Sequence, residues 1–183
     1  MTDPTSFGSI SPAIGGHVFA TKYRTLSLEE ARATPSFAKP VTLFDKWQAL
    51  PGTIPHHKNI TPAFVGAQIS SEIYILDVLP QKINDVDSCW DFRWRLFGTA
   101  HSDRYGKDAT GILLSEAAIG DESAAGSYNI AKQVMKTHEA VFFLTKFIQN
   151  EVVHKTTSTV VMPLLDDGGN VSRLFGCSAW SKL

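Results

Sequence analysis

Five consecutive residues, Asp166-Asp167-Gly168-Gly169-Asn170, interrupt the most β-rich stretch of the chain. All are types that tolerate positive φ or close tight hairpins. The flanking runs, 152–165 and 171–181, are candidate strands. A turn centred on Gly168-Gly169 sets their register: Val160 faces Cys177, Met162 faces Phe175 and Ser158 faces Ala179. Side chains alternate along strands, so this hairpin has two faces. With Leu164, those pairs make one apolar face, expected to look into the core or a cavity. The other face carries Val161, Leu174 and Trp180 among Thr157, Thr159 and Ser178, and is too apolar to be left to water. A helix over 41–50, or a second copy of the chain, is expected to cover it as a packing or dimer surface.

Upstream, the periodicities are mixed. Leu43, Phe44, Trp47 and Leu50 form one helical stripe, ended by Pro51-Gly52. Thr61-Pro62 starts a helix expected to run to about Ser70, with threonine as cap and proline in the first turn. Residues 73–79 read as a strand stopped by Pro80. Residues 91–97 alternate, with Phe92, Trp94 and Leu96 on one face and Arg93 and Arg95 on the other. A short helical turn over 102–105 follows, and then the best helix, 123–138, with Ala124, Tyr128, Ala131, Val134, Met135 and His138 on one face. Residues 140–148 add a third late strand. Strands that do not alternate with helices exclude a parallel α/β sheet. The order predicts an α+β domain, a five-stranded antiparallel sheet with helices on one face.

Residues 1–40 differ from the rest. They hold Pro4, Pro12, Pro35, Pro40 and Gly15-Gly16 among many Ser and Thr, and read as a weakly structured N-terminal arm. One short helix over 28–33 is expected there, because Ser27-x-x-Glu30 is a capping box. The domain proper is taken as 41–183, with 41–50 as its cap helix. Seventeen Lys and Arg against 18 Asp and Glu give a net charge of −1, which argues against nucleic acid as a partner. No apolar run approaches the roughly 18 residues of a membrane span, and no secretory signal opens the chain. Cys89 and Cys177 read as free thiols, so a cytoplasmic location is expected.

Catalytic and metal signatures are sparse. None of the six histidines lies three or four residues from another, Cys-x-x-Cys is absent, and adjacent His56 and His57 are expected to point apart. The hairpin register separates His154 from Cys177 by roughly 20 Å, too far for a thiol–imidazole pair. Gly106-x-x-x-x-Gly111 is followed by Ile112 rather than a phosphate-binding lysine. Arg93, Arg95 and Arg104 cluster near Trp94, Tyr105 and His101, either clamping an anion or pairing with Asp77, Asp103 or Asp108.

Several stretches, in this order, resemble a family of alphaproteobacterial single-domain PAS proteins. They are Trp47 with Leu50-Pro51, Ile54-Pro55 and Ile60-Thr61-Pro62; Ile75-Leu76-Asp77-Val78; and Trp94-Arg95-Leu96-Phe97-Gly98-Thr99. Gly106-Lys107-Asp108-Ala109-Thr110-Gly111 and Met162-Pro163-Leu164-Leu165-Asp166-Asp167-Gly168 complete the set. The resemblance implies a PAS-like sheet of spatial order 2-1-5-4-3 around a small cavity, with dimerisation through an N-terminal helix and the outer sheet face. The flavin motif of PAS photosensors is absent, and 123–137 holds no histidine for haem, so no cofactor is named. The expectation is a stand-alone sensor or regulatory module, without catalytic output, that acts through a signalling partner. Its ligand site would comprise Phe92, Trp94, His101, Tyr105, Tyr128, Phe143, Met162 and Cys177, with Arg95 as polar anchor. A homodimer would form through Leu43, Phe44 and Trp47 of the cap helix and Val161, Leu174 and Trp180 of the sheet. The alternatives are an interaction scaffold with a filled core and a small enzyme using Arg95 and His101 on an anionic substrate.

Overall fold

The computed structural model describes residues 11–14, 17–82 and 88–182, with side chains from Ala20 onward except those of 81–89 and Lys182. The first ten residues of the expected arm, Gly15-Gly16 and the Cys89 side chain lie outside the described residues.

The chain begins with strands β1 (Ser11–Ile14) and β2 (His17–Leu26), then helices α1 (Leu28–Ala33), α2 (Ala38–Gln48) and α3 (Pro62–Val65). Strands β3 (Ile73–Lys82) and β4 (Ser88–Phe97) follow, then helices α4 (Thr99–Tyr105), α5 (Leu114–Ala117) and α6 (Glu122–Thr137). Strands β5 (Val141–Gln149), β6 (Val152–Leu165) and β7 (Val171–Lys182) close the fold. The protein is α+β. Six strands form the antiparallel ladder β2-β5-β6-β7-β3-β4, and β1 pairs on the outside of β2.

This corrects the expected five strands. The extra strand comes from the arm: Ala20–Leu26 pairs with Phe142–Ile148 and occupies the otherwise free edge of β5. Its composition concealed it, since Pro, Ser and Thr around it dilute the β signal. Residues 17–40 thus contribute a strand, α1 and the start of α2. The capping box forms as read: the Ser27 hydroxyl accepts from Glu30 N–H, and the Glu30 carboxylate accepts from Ser27 N–H.

The final hairpin has the expected register, Val160 opposite Cys177, Met162 opposite Phe175 and Ser158 opposite Ala179. Its faces are the reverse of the expectation. Val160, Met162, Leu164, Phe175 and Cys177 are buried beneath α2, whose Leu43, Phe44 and Trp47 pack on them. Val161 and Leu174 lie on the opposite face, in a second core with α6 residues Ala131, Val134 and Met135. Helices therefore cover both faces rather than one. The expected dimer surface is corrected too. Leu43, Phe44, Trp47, Val161 and Leu174 are each less than 8% exposed within this one chain, and Trp180 is half-buried.

Three smaller departures have local causes. The helix from Thr61 ends after Val65, because Gly66 takes a φ of 80°. Strand β3 runs through Pro80, since its pairing with β7 ends at Asp77 and leaves one edge of the strand free. The alternation in β4 breaks at a bulge: Ile75 pairs with Leu96 but Leu76 with Trp94, leaving Arg95 as the extra residue. The bulge turns Trp94 and Phe97, of opposite parity, toward the same side. Among the described residues, no helix is long and apolar enough to cross a membrane.

Candidate ligand cavity

Between the second sheet face and the helices after β4 lies a cavity of about 550 Å³. The sheet supplies its floor. Strand β5 contributes Phe143, Thr145 and Phe147; β6 contributes Thr157 and Thr159; β7 contributes Ser178 and Trp180. Tyr23 of β2 and Tyr74 of β3 add two rings, and the bulge brings Trp94 and Phe97 together, edge to face at 4.9 Å between centroids. The roof comes from His101 and Tyr105 of α4, the connection through Ile112, α5 and the first turns of α6. That connection is tied to β4, because Trp94 N–H donates to the Ile112 carbonyl and Gly111 N–H to the Trp94 carbonyl. The mouth reaches solvent beside Lys107, Glu116 and Ile119, the last 85% exposed.

Helix α6 is anchored at its start. The Asp121 carboxylate accepts from Ser123 and Ala124 N–H, Tyr23 O–H donates to the Glu122 carbonyl, and the Glu122 carboxylate accepts from Thr21 N–H. Burial pushes the Tyr23, Tyr74 and Tyr105 hydroxyls far above their ordinary range, so all three are neutral.

His101 is 3% exposed and uses both ring nitrogens. Its Nε2 lies 3.0 Å from the Glu72 carbonyl oxygen, which only accepts, so Nε2 carries the proton. Its Nδ1 accepts from Trp180 Nε1–H at 3.2 Å. Burial lowers its pKa from 6.5 to about 4, with the Glu72 bond opposing the shift. This imidazole braces the wall as a neutral ring. Trp180 also stacks on Phe147, 5.5 Å apart and 20° from parallel, while Tyr105 meets it edge-on.

The floor hydroxyls divide into two groups. Thr159 Oγ1 donates to Ser178 Oγ at 2.9 Å, so that pair is internally satisfied. Thr145 and Thr157 stand directly opposite each other across β5 and β6, 3% and 5% exposed. Among the described residues, neither of their hydroxyls has a hydrogen-bond partner, and both residues line the cavity. Neither hydroxyl is a sealed, unsatisfied atom, so the pair keeps open hydrogen-bonding capacity where it lines the cavity.

Of the nine residues singled out from sequence, Trp94, His101, Tyr105 and Phe143 line the cavity. Five are placed elsewhere. Phe92 is buried in the α6 core, and Tyr128 sits edge-on against it while donating to the Trp90 carbonyl. Arg95, half-exposed on the bulge, pairs with Asp77 at 3.3 Å and anchors nothing in the cavity. Met162 and Cys177 lie on the far face under α2, where burial pushes the Cys177 thiol up to about 12. Their misplacement follows from the reversed faces. Sequence reasoning missed Tyr23, inside the supposed arm, and Phe97, whose parity only the bulge corrects. It placed Thr157, Thr159, Ser178 and Trp180 on an outer surface. The polar–apolar mixture of that face was the available signal.

The two histidines expected to point apart have rings 4.5 Å apart, because 57–59 is a helical turn rather than extended. His56 and Lys58 pair with Asp167, and His57 with Arg173. Among the described residues, no group of three His, Cys, Asp or Glu is placed to hold a metal ion.

Fold and cavity together define an α+β protein with an antiparallel sheet and an internal pocket between sheet and helices. No family model, no curated protein and no solved structure matches the chain.

Proposed function

We propose that the chain is a PAS-like, cytoplasmic sensor module: it binds a small molecule in the cavity and passes that event to a signalling partner, without catalysis of its own. The observation that carries this reading is a cavity of about 550 Å³ lined by Thr145 and Thr157, two little-exposed residues whose hydroxyls have no hydrogen-bond partner among the described residues. That volume is within the range of small-molecule sites, roughly 300–1,000 Å³. The strand neighbours also support it, since β4-β3-β7-β6-β5, counted from β3, is the order 2-1-5-4-3. The scaffold alternative needs a filled core, and the cavity counts against it. The enzyme alternative needs Arg95 and His101 at one substrate, yet Arg95 is paired outside the cavity and both His101 nitrogens are engaged.

Ligand binding changes a partner's behaviour only if two conformations bind the ligand unequally. The roof is the candidate moving part: α4 ends at Gly106, and the connection to α5 is half-exposed and held to β4 at Trp94. The test is native mass spectrometry of the purified full chain together with a thermal-shift screen of metabolites. The expected result is bound small-molecule mass, or a stabilising compound whose effect is lost in Trp94→Ala. If no compound raised the unfolding temperature, and Trp94→Ala lost stability alone, the cavity would be structural and the sensing reading would fall.

A further inference from the structure

Granted that ligand-binding reading, we propose that the occupant is an uncharged, flat aromatic molecule whose one edge carries a carbonyl, amide or hydroxyl held jointly by Thr145 and Thr157. Three features of the cavity converge on this class.

The first is the threonine pair. Directly opposed residues of an antiparallel ladder have Cβ atoms about 4.5–5.5 Å apart. Two hydroxyls so placed reach one polar edge of a ligand. A hydroxyl both donates and accepts, so the pair suits a carbonyl, an amide or another hydroxyl. The neighbouring Thr159 and Ser178 hydroxyls already bond each other, so on strands β5 to β7 the open hydrogen-bonding capacity of the lining lies at Thr145 and Thr157.

The second is charge. The charged residues of the lining are Lys107, Glu116 and Asp121. Lys107 and Glu116 are exposed at the mouth, and the Asp121 carboxylate caps α6. The one imidazole of the lining, His101, spends both nitrogens on Trp180 and Glu72. A carboxylate or ammonium beside Thr145 and Thr157 would surrender its hydration without a counter-charge, at high cost.

The third is shape. Trp180 stacked on Phe147 presents one flat wall, and Trp94 packed edge-on against Phe97 presents another. Aromatic walls of this kind favour ring-bearing ligands through offset or edge-to-face contacts.

The test is calorimetric titration of the full chain with three probes of one ring system: naphthol, naphthamide and naphthoate. The two neutral probes are expected to bind, and naphthoate at least about tenfold more weakly. Thr145→Val and Thr157→Val should each weaken the neutral probes by about threefold to tenfold, the range of one hydrogen bond. Neither variant should lower the unfolding temperature of the free protein, because these hydroxyls have no protein partner to lose. Naphthoate binding as tightly as naphthamide would overturn the uncharged class while leaving the sensing reading intact. Unchanged affinity in the Thr145→Val/Thr157→Val double variant would overturn the role of the threonines. Failure of both neutral probes at about 1 mM, the weak end of specific binding, would overturn the proposal outright. The sensing reading is decided separately by the mass of the purified chain.

Discussion

The two faces of the sheet share strands β5, β6 and β7 and differ in what the helices above them leave open. Under α2 the face is dry. Val160, Met162, Leu164, Phe175 and Cys177 meet Leu43, Phe44 and Trp47, and every large side chain there is almost fully buried. Two of its polar groups are matched: Ser158 Oγ lies 2.7 Å from Ser36 Oγ, and Trp47 Nε1–H donates to the Pro163 carbonyl. Under α4 to α6 the opposite face keeps a cavity, with Thr145 and Thr157 unmatched. A helix packs closely on a sheet only where both surfaces are apolar or their polar atoms are paired. A face with free hydroxyls is suited instead to water or a ligand. The packed face and the cavity face thus differ most where the hydroxyls of Thr145 and Thr157 line open space.

The largest effect expected is on the dry face. Phe175 is fully buried, so Phe175→Ala should cost about 3–5 kcal/mol in denaturant unfolding, as large core truncations do. A loss under about 1 kcal/mol would mean that α2 does not pack there.

The cavity face should carry the pH dependence. His101 has a folded-state pKa near 4 against 6.5 when free. Between those values the unfolded chain takes up a proton that the folded chain refuses. Its contribution is complete above pH 6.5 and is lost as pH falls toward 4, by about 3 kcal/mol. His101→Gln keeps a donor for Glu72 and an acceptor for Trp180, and unfolding measured from pH 7 to 4 should lose that slope. The same slope in the variant would place the titrating group elsewhere.

A third variant probes the cavity rim. A Cβ on Gly126 of α6 would overlap the Tyr23 ring. Gly126→Ala should therefore cost about 1–3 kcal/mol through displaced packing, read by thermal unfolding and by the tyrosine contribution to near-ultraviolet circular dichroism.

The finest contrast is between two hydroxyls one residue apart on β6. Ser158→Ala should cost about 1 kcal/mol, because Ser36 loses its partner. Thr157→Val should stay within about 0.5 kcal/mol of the parent. Equal costs would erase the distinction between the faces.

Much of the local structure was legible in the residues. The capping box at Ser27 and Glu30, the Thr61 cap, the α6 stripe and the register of the last hairpin each depend on neighbours in sequence or on a single tight turn. Four cavity residues were legible as well, because Trp94, His101, Tyr105 and Phe143 lie on elements correctly placed. What failed was non-local. Nothing in residues 17–26 announces that β5 has a free edge to fill. Nothing in 91–97 announces a bulge, because it arises from pairing with β3.

The sequence by itself determined the α+β class, the hairpin register and the two-faced character of its final strands, since period and turn chemistry are properties of adjacent residues. Only the tertiary structure decided which face met α2 and which kept a cavity. That choice rests on contacts between segments far apart in sequence, where Trp47 reaches Pro163, 116 positions away, and Tyr23 reaches Glu122, 99 positions away. Hydropathy assigned the more apolar face to the ligand. Packing assigned it to the helix, because Leu43, Phe44 and Trp47 of α2 bury their apolar surface on Val160, Met162, Leu164, Phe175 and Cys177.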